Sequence, residues 1–304
     1  MIELKLEVNF LHIRFIYNPK SGRERSQEKV SNIIKYLFED GHEVSMRFTK
    51  QAYDATEFAI EAEKDKVDRL VVVGGDGTVN EVVCGLQKSD SKIPVMIMPG
   101  GTTNDFAVYM GLQKDDWDTY KTIVSGRIES VDCGKVAGKY FMNVGACGIL
   151  TDVAHNTPVG LKSAFGRAAY VMKALTELTP ENLKPIKMNI ESEEVSGEYI
   201  SYMALVANSK SVGGFQKMAP LASVNDGLLD VLVVREMPLS DLVTVFMKIK
   251  AGEHVKHPNV MYFKTKKISF SSPEEEVELD VDGEFFGTLP ATFEVVHQAI
   301  NLLV

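Results

Sequence analysis

Over about the first 130 positions, short all-apolar runs alternate with longer stretches of helical period. Residues 12–17 (HIRFIY), 43–48, 70–73 and 94–98 read as strands. Between them, residues 26–39 carry Val30, Ile33, Ile34, Leu37 and Phe38 on one stripe, and Gly41 stops that helix. Further helices are expected over 55–63 and through Val82, Val83 and Leu86. Buried strands separated by helices imply a parallel sheet covered on both faces.

Beyond about residue 128 the texture changes. Residues 139–144, 186–190, 199–206, 228–234, 267–270 and 277–281 read as strands, interrupted by two helical stretches, 163–178 and 240–251. This is the pattern of a mainly antiparallel, β-rich domain. The boundary falls near Arg127, giving an α/β domain over 10–127 and a β-rich domain from 128. A chain of 304 residues accommodates two domains of about 150 residues each.

Composition narrows the classes. Hydrophobic residues make up 45% and charged residues 25%, which fits a packed globular protein. The net charge of -9 argues against nucleic acid as a partner and gives no general attraction to anionic headgroups. Cys84, Cys133 and Cys147 have neither metal-ligand nor disulfide spacing. The first residues lack a signal-peptide pattern, and no run approaches the roughly 18 apolar residues that span a bilayer. A cytoplasmic protein with at most peripheral, transient membrane contact is expected.

The strongest local feature is Val71-Val72-Val73-Gly74-Gly75-Asp76-Gly77-Thr78-Val79-Asn80-Glu81. An apolar strand runs through a glycine turn into a helix, whose N–H groups and positive dipole end suit a phosphate. Thr78 and Glu81 fit a capping box. Asp76 repels a phosphate unless a cation lies between them, so it is assigned to Mg²⁺. Two more polar loops follow strands at the same sheet edge: Asn18-Pro19-Lys20-Ser21-Gly22, and Pro99-Gly100-Gly101-Thr102-Thr103-Asn104-Asp105-Phe106. Thr49 lies at this edge too, where ligands of open parallel sheets bind. Neither the Gly-x-x-x-x-Gly-Lys-Ser/Thr loop nor a first-turn Gly-x-Gly-x-x-Gly is present. Farther on, Asp280, Asp282 and Glu284 alternate along 277–285, which on one strand would put three carboxylates on one face. The Asn225-Asp226-Gly227 segment reads as a turn.

Together, Asn18-Pro-x-Ser-Gly22, Gly74-Gly-Asp-Gly-Thr78 and Gly101-Thr-x-Asn-Asp105 resemble the diacylglycerol kinase catalytic domain, most closely that of bacterial lipid kinases. Residues 222–229 and 279–284 extend the resemblance over nearly the whole chain. It implies a three-layer α/β nucleotide-binding domain, then an antiparallel, sandwich-like lipid domain over 128–290. Residues 291–304 would return to the first domain. By resemblance, ATP would contact Asn18, Pro19, Lys20, Ser21, Gly22, Thr49, Gly74, Gly75, Asp76, Gly77, Thr78, Val79, Asn80 and Thr102. Asp76 and Asp105 match acids linked to catalytic Mg²⁺, and Glu284 matches the general base. Ser223, Asp226 and Leu228 match a structural Mg²⁺ site. Arg23, Glu24 and Arg25 are charged where many relatives are small.

The implied reaction is γ-phosphate transfer from ATP to a lipid hydroxyl at the membrane surface, with diacylglycerol favoured as acceptor. An NAD kinase-like enzyme and a non-catalytic nucleotide- or lipid-binding regulator are the alternatives, and a homodimer stays open. The apolar, basic stretch 160–178 reads either as packed core or as a helix lying on a membrane.

Overall fold

The computed structural model describes residues 10–21, 24–101, 103–148 and 183–304. Gly22, Thr102 and the 160–178 stretch lie outside the described residues.

Four parallel strands open the fold: β1 (His12–Tyr17), β2 (Glu43–Phe48), β3 (Arg69–Gly74) and β4 (Val95–Pro99). They lie in the order β4-β3-β1-β2. Helices α1 (Glu24–Glu39) and α5 (Asp116–Ser125) cover one face; Val30, Ile33, Leu37, Tyr120 and Ile123 pack there on Phe15, Val71 and Met96. Helices α2 (Asp54–Lys64) and α3 (Asp76–Lys88) cover the other, through Ala55, Ala59, Ala62, Val82, Val83 and Leu86. A Cβ at Gly85 would stand 2.4 Å from the carbonyl oxygen of Thr56, so only glycine lets α2 and α3 approach this closely. The short α4 (Asp105–Tyr109) follows β4.

The second half is antiparallel. Its strands are β5 (Ile128–Val136), β6 (Lys139–Phe141), β7 (Val144–Gly148), β8 (Ile186–Ser192), β9 (Ser196–Ala207), β10 (Leu229–Arg235), β11 (Val260–Thr265), β12 (Lys267–Ser271), β13 (Glu278–Val281), β14 (Glu284–Thr288) and β15 (Ala291–Leu303). The single long helix described in this half, α6 (Leu239–Lys248), packs Leu242, Val245 and Phe246 into the core. β15 joins the halves. It pairs antiparallel with β5 and β12, and parallel with β4 at Leu302↔Val95. One mixed sheet therefore runs from β14 through β15 to β2.

Two sequence expectations are corrected here. The run 139–144 is not one strand, because the Met142, Asn143 and Val144 amides turn to the Asp282 carboxylate instead of a neighbouring strand. Nor is 277–285 one strand. It is a hairpin: Val281 pairs with Glu284 across a two-residue Asp282-Gly283 turn, with φ of 52° and 85°. Positive φ at both central residues is the hairpin turn that Asp-Gly favours. Asp280, Asp282 and Glu284 thus do not share a face. Among the described residues, no helix is long and apolar enough to cross a membrane.

Candidate active site

The site is built where β3 and β4 end. Gly74 closes β3, and Gly75 caps α3 with no side-chain help. The next loop lies directly on this turn: Gly100 N–H donates to Gly74 O at 2.8 Å, and a Cβ at Gly101 would stand 2.8 Å from Gly75 Cα. Any side chain there would force two backbones apart. The first turn of α3 therefore meets the cleft with bare backbone: the Thr78 and Val79 N–H groups donate to Gly75 O at 3.0 and 3.1 Å, leaving those of Asp76 and Gly77 ahead of the intrahelical ladder.

The loops after β1 and β2 flank this turn. Asn18 Nδ2 donates to Thr78 Oγ1 at 3.1 Å, while Asn18 Oδ1 accepts from Lys20 N at 3.0 Å. Ser21 Oγ donates to Asn18 O at 2.9 Å, folding the loop past the exposed Pro19. Asn18, Lys20, Thr49, Thr78 and Glu81 line one polar pocket of about 160 Å³. The capping box expected of Thr78 and Glu81 does not form. Thr78 lies inside α3, and Glu81 Oε2 instead accepts from Ala55 N, at the start of α2, at 3.2 Å. Val79 buries its side chain in the core, leaving only its backbone toward the turn.

Three carboxylates gather beside the glycine turn. Burial pushes the Asp76 carboxyl up to about 6, and the neighbouring Asp282 and Asp105 charges add to the shift; the backbone N–H groups of Asp105 and Phe106 pull the other way. Asp105 follows a left-handed Asn104 (φ 50°) whose side chain grips Gly101 N and O at 2.8 and 2.7 Å. The Asp105 carboxylate accepts from Ser211 Oγ at 2.6 Å and Gly214 N at 3.1 Å, both in the β9–β10 connection. Burial likewise raises Asp282 to about 6, against the donors around it.

Glu284 opens β14, with a side chain 67% exposed. Its Oε1 lies 3.1 Å from where a Cβ on Gly77 would be, so this carboxylate stands over the first turn of α3. Lys139 Nζ approaches it at 3.5 Å and lies over the Phe286 ring at 5.2 Å. Asn80, matched by resemblance to a nucleotide contact, turns its side chain elsewhere: Nδ2 donates to Asp282 Oδ2 at 2.8 Å and Oδ1 accepts from Met142 N at 3.3 Å.

Like charges crowd Asp76, and a divalent cation would relieve that crowding, so this position fits Mg²⁺. Among the described residues no three His, Cys, Asp or Glu side chains form a ready-made cage. Asp76 would thus hold the ion together with water and phosphate oxygens, as Mg²⁺ usually is held. The set of Ser223, Asp226 and Leu228 is differently placed. Asp226 Oδ2 pairs with Lys264 Nζ at 2.6 Å, its Oδ1 accepts from Leu228 N at 3.1 Å, and Ser223 Oγ donates to Asn225 Oδ1. An ammonium already balances this carboxylate, and a metal there would have to displace it. Buried Asp132 braces the same loop, accepting from Gly227 N, His297 Nδ1 and Gln298 N, each at 2.7 Å.

Sequence reasoning gave Asp282, Lys139 and Asp132 no role. Asp282 carried a usable signal, the hairpin dipeptide Asp-Gly; Lys139 and Asp132 acquire partners only through strand pairing.

The two segments of the chain match known families. Residues 12–136 match the diacylglycerol kinase catalytic domain, and residues 147–304 match the YegS C-terminal NAD kinase beta sandwich-like domain. A Bacillus subtilis protein named diacylglycerol kinase is 34% identical, over 96% of this chain and 95% of its own length. A Staphylococcus epidermidis diacylglycerol kinase is 36% identical, over 95% and 90%. A crystal structure of a diacylglycerol kinase from Bacillus anthracis superposes with a TM-score of 0.80 at 25% identity, covering 97% of both chains. The chain belongs to the family of bacterial lipid kinases in which a diacylglycerol kinase catalytic domain precedes an NAD kinase-like β-sandwich domain.

Proposed function

We propose that this chain transfers the γ-phosphate of ATP to the free hydroxyl of diacylglycerol, giving phosphatidic acid and ADP. The observation that carries the reading is the stance of Glu284, delivered by the second half of the sheet, over the first turn of α3. One wall of the cleft offers backbone N–H groups to phosphate; the other offers a carboxylate. Phosphoryl transfer asks for positioning and charge stabilisation above all. Asn18, Pro19, Lys20, Ser21, Thr49 and the segment from Gly74 to Val79 hold the nucleotide. Asp76, with Asp105 beside it, would hold Mg²⁺, which when bound would offset phosphate charge. Glu284 accepts the hydroxyl proton as the lipid oxygen bonds to the γ-phosphorus and the bond to the β-phosphate oxygen breaks.

The relatives named diacylglycerol kinase support this acceptor. The protein works from the cytoplasm, meeting its lipid at the membrane surface. Transfer to NAD is the second reading, favoured by the NAD kinase-like description of the second domain. Labelled ATP offered with diacylglycerol micelles and, separately, with NAD separates the two. Glu284→Gln should lower kcat roughly 10²–10⁴-fold, the range a positioned base supplies, while ATP binding persists. Near-normal turnover in that variant removes Glu284 from the mechanism.

A further inference from the structure

We propose that Asp282 and Asn80 form a latch across the two halves of the protein that sets the reach of Glu284, making both positioning residues. The inference rests on reading Glu284 as the base.

An Asp-Gly hairpin turn is set by positive φ at both residues, and its aspartate side chain ordinarily bonds at most to nearby backbone of the turn itself. Here that side chain is fully engaged. Asp282 Oδ1 accepts from Asn143 N at 3.1 Å and Val144 N at 2.6 Å; Oδ2 accepts from Met142 N at 3.0 Å and Asn80 Nδ2 at 2.8 Å. Asp282 N in turn donates to Val144 O at 2.9 Å. Asn80 is 5% exposed and completes the ring by accepting from Met142 N.

The consequence is geometric. Helix α3 carries Gly77 beneath the Glu284 carboxylate and, one turn later, Asn80 bonded to Asp282. The hairpin is thus fastened to the same helix whose N-terminus it faces, two residues before the base. Every partner of the Asp282 carboxylate is a donor, so an amide here would set an NH₂ against N–H groups. A shift of about 1 Å at a reacting group can cost roughly 10²-fold in rate.

The test uses the whole chain with ATP, Mg²⁺ and diacylglycerol micelles, and compares Asp282→Asn, Asn80→Ala, their double variant, and each in a Glu284→Gln background. Each single change should lower kcat roughly 10–100-fold, by the displacement argument above. The KM for ATP should stay within about twofold, since binding is not the interaction removed. The double variant should be no slower than the slower single, and neither change should slow Glu284→Gln further. A role limited to holding the fold would lower melting temperature without erasing its rate effect in that background. Equal slowing with and without Glu284 overturns the latch. So does a raised KM for ATP at unchanged kcat in Asn80→Ala, which would make Asn80 a nucleotide contact. Should Asp282→Asn fail to fold, Asn80→Ala carries the same cycle, because it leaves the backbone donors of Asp282 in place. Full activity in Glu284→Gln defeats the base assignment itself; an inactive Glu284→Gln beside fully active latch variants defeats the latch alone.

Discussion

At the ends of β3 and β4, the cleft wall is backbone laid on backbone: Gly100 bonds to Gly74, and Gly101 leaves no room for a Cβ against Gly75. Across the cleft, the β13–β14 hairpin sits at the end of the sheet, with Glu284 exposed and steered by side chains. The first wall can change only by breaking. The second can be tuned, because Lys139 and Asp282 hold it through polar contacts that substitutions can weaken one at a time. A group that must be matched by many fixed N–H donors suits the first construction; one that must take a proton and then release it suits the second.

Alanine at two glycines sharpens this contrast most. Gly101→Ala places its methyl against the Gly75 backbone and should cost about 1–3 kcal/mol, as overpacking does, with weakened ATP binding. Gly77→Ala meets only the tip of Glu284, at 3.1 Å. It should leave stability near wild type, by denaturant melting, and lower kcat instead. Equal effects on stability would dissolve the distinction between the walls.

The next largest effect concerns pH. The Asp76 and Asp282 carboxyls keep their protons up to about pH 6, above the ordinary aspartate value of 3.8. Between these values the folded state binds more protons than the unfolded chain. Their contribution is therefore greatest at the acid end and is lost as pH rises through about 6. In chelator, urea melts of wild type should lose more stability between pH 4 and 7 than Asp76→Asn does. Mg²⁺, which binds the deprotonated carboxyl, should bind more weakly as pH falls below 6. A slope unchanged in Asp76→Asn would show that the acids are not crowded.

The smallest effect lies outside both walls. Lys264 neutralises Asp226, so Lys264→Met should enlarge any Mg²⁺-dependent rise in melting temperature, and Asp226→Ala should remove it. No difference between the two variants would mean that the loop takes no cation.

The same contrast explains what was legible in the sequence. β1, β3 and β4 are buried through nearly their whole length, so an apolar run sufficed to find them. The glycine turn was legible because its chemistry is local. The hairpin was misread because its acids alternate like strand residues, while Asp282-Gly283 turns the chain between them. The Thr78–Glu81 pattern was outcompeted by the amide of Ala55, a partner that exists only once α2 packs on α3. β5 and β15, half-buried with mixed faces, were not read as strands at all. β15 also slips register between Val296 and Ile300, so no single period describes it.

The late strand β15 has a consequence for biosynthesis. A ribosome delivers β4 some two hundred residues before the strand that pairs beside it at Leu302↔Val95. Until then that flank of the nascent sheet is an open edge, of the kind that recruits wrong partners. Completion of the parallel part of the sheet is therefore a late step in synthesis, and an interrupted message yields a fragment with β4 uncovered on that side.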